Sequence, residues 1–140
     1  MITRKRPTTR KPRRARRGTA AAELAVCLPI ITLFVFATIE ACTMVYLKQS
    51  ATIAAYEGAR TALLPGATAT SITTDVNQVL SDRKVKGGTP AVTPLNIETV
   101  PVGGYIRIEV TAPCEQNTLL GTWFYGGRSV TGAAEIMKEF

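Results

Sequence analysis

Glu23 is a carboxylate at the threshold of an apolar run. Gly18-Thr19-Ala20-Ala21-Ala22 precede it, and from Leu24 to Leu47 the chain has 24 residues with one charge, Glu40. An acidic group inside a membrane helix costs roughly 3 kcal/mol at the bilayer centre and less towards its edge, so it marks a functional site by default. One chemistry accounts for it. If the chain is cut between Gly18 and Thr19, Thr19 becomes a free amino terminus and Glu23 the fifth residue of the product. Residues one and five of a helix share a face, so an ammonium and a carboxylate can meet there. The competing reading is that Gly18 merely begins the helix and the preceding segment stays attached as an anchor.

Other reactive residue types are sparse. Glu57 and Arg60 are three apart on a helical stretch and can pair. As a solvated surface pair they would contribute a few tenths of a kcal/mol, about the usual value. Their place amid apolar positions suits the edge of a packed interface equally well. Glu40 is expected at the outer membrane interface rather than buried. Trp123-Phe124-Tyr125 can pack on the core or a sheet edge, the expected case, or form a surface patch. Cys27 and Cys42 would lie about 22 Å apart on one helix, too far to bridge. Cys114 has no evident partner within the chain; it could bridge to another molecule outside the cell, but a lone thiol is more often inert. There is no histidine, which removes Ser-His-Asp, Cys-His and imidazole-metal chemistry. Asp75 and Asp82, the only aspartates, have no converging nucleophile or acid-base partner. No catalytic residue, metal site or cofactor is assigned, and an enzyme is not expected.

The elements that position these residues follow from periodicity. As a helix, residues 24–47 span about 36 Å, enough to cross a hydrocarbon core of about 30 Å. The run is longer than the apolar region of a removable secretory signal. Helical character continues through the Ala-rich stretch to Leu64, where Pro65-Gly66 stops it. Pro29 should bend the membrane part. Ile53, Tyr56, Leu63 and Leu64 fall on one stripe, which is read as the core-facing side. A second helix is predicted over Ser71–Arg83, capped by Thr70 or Ser71, with Ile72, Val76, Val79 and Leu80 on one face. Residues 84–90 read as a linker. Tyr105–Thr111 alternates strictly and is a strand. Leu95–Val100 is its expected partner, and Ser129–Lys138 a third strand with Val130, Ala134 and Ile136 inward. The predicted fold is α+β: a transmembrane helix continuing as a spine, packed by a small three-stranded antiparallel sheet and one short helix. The expected segments are a basic leader at 1–18, a membrane helix at 19–47, its extension at 48–64 and a small head at 65–140.

Charge sets the topology. The chain has 17 Lys+Arg and 10 Asp+Glu, net +7. Nine of the basic residues, from Arg4 to Arg17, precede Gly18, leaving 8 basic against 10 acidic residues in the remainder. The high pI therefore belongs to a leader, and no nucleic-acid partner is expected. Positive residues before the span place the N-terminus in the cytoplasm and the head outside. They also favour anionic membrane lipid.

Three segments carry a family resemblance. They are Arg17-Gly18-Thr19-Ala20-Ala21-Ala22-Glu23-Leu24-Ala25 running to Leu28-Pro29, then Ile39-Glu40, then Ala54-Ala55-Tyr56-Glu57-Gly58-Ala59-Arg60-Thr61-Ala62. Together they resemble the TadE-like family of pilin-like proteins from tight-adherence (Flp-type) pilus systems. Leu24 stands where the family often has an aromatic residue, and Tyr56 where it often has Arg. The resemblance implies a minor pilin, pseudopilin or assembly component in a bacterial inner membrane, released to a filament after processing. It implies a prepilin peptidase acting at Gly18-Thr19, with Glu23 as assembly carboxylate and Glu57 and Arg60 as a motif pair. The implied partners are other pilin-like subunits and pilus assembly proteins. The alternative is an unprocessed single-pass protein whose external domain is a sensor, chaperone or adhesin.

Overall fold

The computed structural model describes residues 14–139; the leader up to residue 13 lies outside the described residues, as do the side chains of residues 14–17. The helix α1, Arg14–Ala62, has 49 residues with Pro29 inside it. The chain divides into two compact units, one ending at Ala37 and one running from Thr38 to Phe140.

In the first unit every side chain from Gly18 to Phe36 is exposed, although most are apolar. The helix from Gly18 to Ala62, of which this segment is the apolar start, is long and apolar enough to cross a membrane. The Thr32 hydroxyl donates to the Leu28 carbonyl at 2.8 Å, as hydroxyls in apolar helices commonly do.

The second unit is built on the remainder of α1. The helix α2, Ala69–Asp82, is capped by Thr68, not by Thr70 or Ser71 as expected. Thr68 and Ser71 exchange side-chain and backbone hydrogen bonds in a capping box. At the other end Lys84 adopts the left-handed conformation, φ 57°. Lys84 N–H bonds the Ser81 carbonyl and Val85 N–H the Leu80 carbonyl, a Schellman closure made without glycine. Three strands follow: β1 Thr89–Thr93, β2 Tyr105–Pro113 and β3 Ser129–Met137. They form an antiparallel sheet in the order β1-β2-β3. The α+β architecture read from the sequence is the observed one.

The expected partner strand at Leu95–Val100 is a correction. Residues Ile97–Thr99 form a 3-10 turn, and β1 lies within the segment read partly as a linker. Pro90 opposes Val110 in the register. Proline is tolerated there because β1 is an edge strand. Ile97 and Val100 instead close one end of the core, fixed by the Lys138 ammonium, which donates to their carbonyls at 3.2 and 2.9 Å.

The face of α1 that packs is also not the one expected. Ile53, Tyr56 and Leu64 are exposed. Ala51, Ala54, Ala55, Ala59 and Ala62 are buried against Ile72, Val76 and Leu80 of α2 and Ile106, Ile108 and Val110 of β2. Close approach explains the choice. A Cβ at Gly132 of β3 would fall into the backbone of Ala51 and Thr52, and one at Gly58 would meet the Val76 side chain at 2.5 Å. The sheet and α2 lie too near α1 for large side chains, so small residues face inward and large ones outward.

Candidate functional site

The first candidate is Glu40, which the sequence favoured at an exposed interface. It is buried, with 1% of its surface accessible. One carboxylate oxygen, Oε2, accepts hydrogen bonds from the backbone N–H groups of Leu119 and Leu120, at 3.3 and 3.4 Å. The other, Oε1, has no hydrogen-bond partner among the described residues, nor has the nearby-in-sequence Ser50 hydroxyl. A buried acidic group needs such donors because burial removes its water. Glu40 thus pins the 115–127 loop to α1.

That loop is organised around its ends. The Asn117 side chain donates to the Lys86 and Pro113 carbonyls at 2.9 and 2.8 Å and accepts from the Lys86 N–H at 2.8 Å. Cys114 N–H bonds the Arg128 carbonyl at 2.9 Å. Cys114 is buried with Met44, Leu47 and Ala112, against Tyr125 and Val130. Its burial leaves it unable to bridge to another folded molecule. Burial pushes the Cys114 thiol above its ordinary value, Arg128 draws it back, and Glu40 adds to the rise.

A raised thiol stabilises the folded state fully below the ordinary value near 9.0. That stabilisation is lost as pH rises through the raised one, because the unfolded chain ionises first. Thermal stability should therefore fall more steeply as pH rises above about 9.0 in the parent protein than in Cys114→Ala. Parallel alkaline limbs for the two proteins would refute this.

The aromatic run divides. Tyr125 packs on the Cys114 cluster, while Trp123 and Phe124 are exposed, against the packing expected for them. Their rings lie 5.2 Å apart and tilted at 50°.

The second candidate is the motif stretch at residues 54–60. Ala54, Ala55, Gly58 and Ala59 face the core, as close packing requires. Tyr56, Glu57 and Arg60 turn away from it. Glu57 and Arg60 form a pair at 3.9 Å, with the Arg60 side chain 76% exposed, which contributes about the few tenths of a kcal/mol usual for such pairs. Gly18 and Glu23 are exposed in the first unit, and Thr19 with them.

The remaining candidates disperse. Asp75 accepts from the Thr61 hydroxyl at 2.7 Å, and Asp82 from the Gln78 amide at 3.0 Å. Among the described residues no three His, Cys, Asp or Glu side chains converge as a metal site would require. A cleft of about 530 Å³ between the Leu63–Ala67 turn and Ile97 contains Lys138, whose ammonium is already bound to carbonyls.

Sequence reasoning missed the Glu40 contact. Its donors are backbone amides some 80 residues away, which leave no side-chain signature. The only available signal was a lone carboxylate inside an apolar run.

Residues 18–60 match the family model described as TadE-like protein. No curated protein and no solved structure matches the chain.

Proposed function

We infer that this chain, TadE-like over residues 18–60, is a membrane-anchored component of a tight-adherence pilus or a related secretion apparatus. The family is pilus-associated, and the anchor is the exposed apolar part of α1. The chain acts as a pilin-like subunit or assembly component, held and assembled through that helix. The reading is carried by one coincidence: the matched segment contains both the exposed apolar run and an outward motif face, Tyr56-Glu57-Arg60, with little to do in its own head.

The lipid-crossing part lies within residues 19–47 on this reading, and burial of Glu40, Met44 and Leu47 in the second unit favours residues 19–39 as its lipid-facing core. Those 21 residues would rise about 32 Å, enough to cross a bilayer core. Glu23 then lies near the cytoplasmic edge of the span. A peptidase cut between Gly18 and Thr19 removes the basic leader, and the Glu23 carboxylate is compensated by the amine of a neighbouring subunit. Tyr56, Glu57 and Arg60 contact pilus components outside the membrane.

The test is the intact mass and N-terminal sequence of the protein recovered from its own membranes. A product starting at Thr19 is expected, and Glu23→Ala should then lose co-purification with the pilus while remaining in the membrane. A product starting at Met1, with the peptidase active, would refute processing. The unprocessed, permanently anchored protein would be the better reading.

A further inference from the structure

We propose that the 115–127 loop is a second membrane-seating element. In it Leu119, Leu120, Trp123 and Phe124 enter the interfacial layer of the bilayer that α1 crosses. The inference rests on α1 spanning the membrane and goes beyond the pilus reading.

Position is the first argument. The second unit begins at Thr38, and Glu40, two residues on, holds the amides of Leu119 and Leu120. The loop is therefore fixed at the end of the unit where the chain enters from the apolar segment. A loop at that depth meets the headgroup layer.

Composition is the second. Trp123 is 79% exposed and Leu119 69%, with Leu120 and Phe124 also open. Four neighbouring apolar side chains left uncovered mark an interaction surface. Tryptophan with other aromatic residues is the combination enriched at the membrane-water interface, where an apolar ring and a polar edge are both accommodated. The tip is also shaped: the Thr118 hydroxyl donates to the Gly121 carbonyl at 2.8 Å and Gly126 N–H to the Thr122 carbonyl at 2.9 Å.

Charge is the third. Arg83 and Lys84 line a depression with Thr43, Tyr46 and Asn117. Asn117 ties the loop to Lys86, and Arg128 closes the loop. The carboxylates here are Asp82, Glu115 and the buried Glu40 that holds the loop, three against the four cations Arg83, Lys84, Lys86 and Arg128, so the loop base keeps a small positive excess. That excess suits anionic lipid headgroups. A continuous bilayer surface fits an apolar tip within a basic surround.

Trp123 is the only tryptophan in the chain, so its fluorescence reports on the loop alone. The full chain is reconstituted into phosphatidylcholine vesicles containing a minority of phosphatidylglycerol, with and without brominated acyl chains. Flotation after an alkaline wash first establishes insertion. In the floated protein, bromine should quench most of the Trp123 emission, and aqueous acrylamide should quench little. Emission open to acrylamide and untouched by bromine, in protein that floats, would overturn the proposal while leaving the spanning helix intact. Shielding that appears only as the protein-to-lipid ratio rises would overturn it in favour of a second copy. Protein that does not float would overturn the spanning reading and this one with it.

Discussion

Gly132→Ala is expected to destabilise the second unit by about 3 kcal/mol, more than an ordinary strand substitution. The added methyl would meet the Ala51 and Thr52 backbone of α1, including the Ala51 carbonyl oxygen at 2.7 Å. Backbone in a continuous helix cannot swing aside as a side-chain end can. Relief requires β3 to lift from α1. That would disturb the Lys48 ammonium contact to the Thr131 carbonyl and the packing of Val130 and Ala134. Domains of this size have roughly 5–15 kcal/mol of stability in total, so the loss is a large share. Ala133→Val, on the exposed face next door, should change stability by no more than about 0.5 kcal/mol. Chemical unfolding in a fixed detergent, read as the midpoint difference between the two variants, checks this. Equal midpoints would mean that the strand does not sit on the helix as described.

Glu40 gives the second large effect, and its size depends on the replacement. Glu40→Ala removes the acceptor for two backbone N–H groups and leaves space beside Leu119 and Leu120. The expected cost is about 2–4 kcal/mol, from the unpaired donors and the void together. Glu40→Gln keeps a carbonyl oxygen in the Oε2 position and places an amide where Oε1 now has no partner. It should cost less than about 1 kcal/mol, since the donors stay paired and no charge is buried. Limited proteolysis within residues 115–127, run beside the unfolding measurement, separates loop release from global loss. Early cleavage is expected for Glu40→Ala alone. If Gln were as damaging as Ala, the carbonyl-to-amide contact would not be what holds the loop.

Much of this architecture was legible in the sequence, for identifiable reasons. The alternation of Ile106, Ile108 and Val110 located β2 because a strand buries every second side chain. The unbroken run after Glu23 located the apolar helix. Ile72, Val76 and Leu80 located α2, though not its cap, because Thr68, Thr70 and Ser71 are all competent capping residues.

The failures are equally specific. Leu95, Ile97 and Val100 looked strand-like by hydrophobicity, yet Leu95 is exposed and Ile97 and Val100 plug the core around a 3-10 turn, while the proline-containing Thr89–Thr93 pairs with β2. The inward face of α1 was misread because size was taken as a guide to burial. Here backbone approaches backbone, and alanine is selected over Ile53 and Tyr56. The Glu40 contact and the exposure of Trp123 depend on where a loop far along the chain returns, which no local pattern encodes.

The alanines of α1 govern how this architecture can vary. They form the floor of the head's interior, so a head cut away after Pro65 would present one bare apolar sheet face. Stem and head are thus inherited as one piece, and a different head could be joined only ahead of Thr38. Insertions are constrained in phase. One extra residue between Glu40 and Ala51 would turn the helix by about 100° relative to its upstream contacts. Glu40 would lose the loop, or Ile53 and Glu57 would be driven into the inward places of Ala54 and Gly58. From Gly18 to Phe36 the helix is exposed, and its length there is matched to the thickness of the bilayer it crosses.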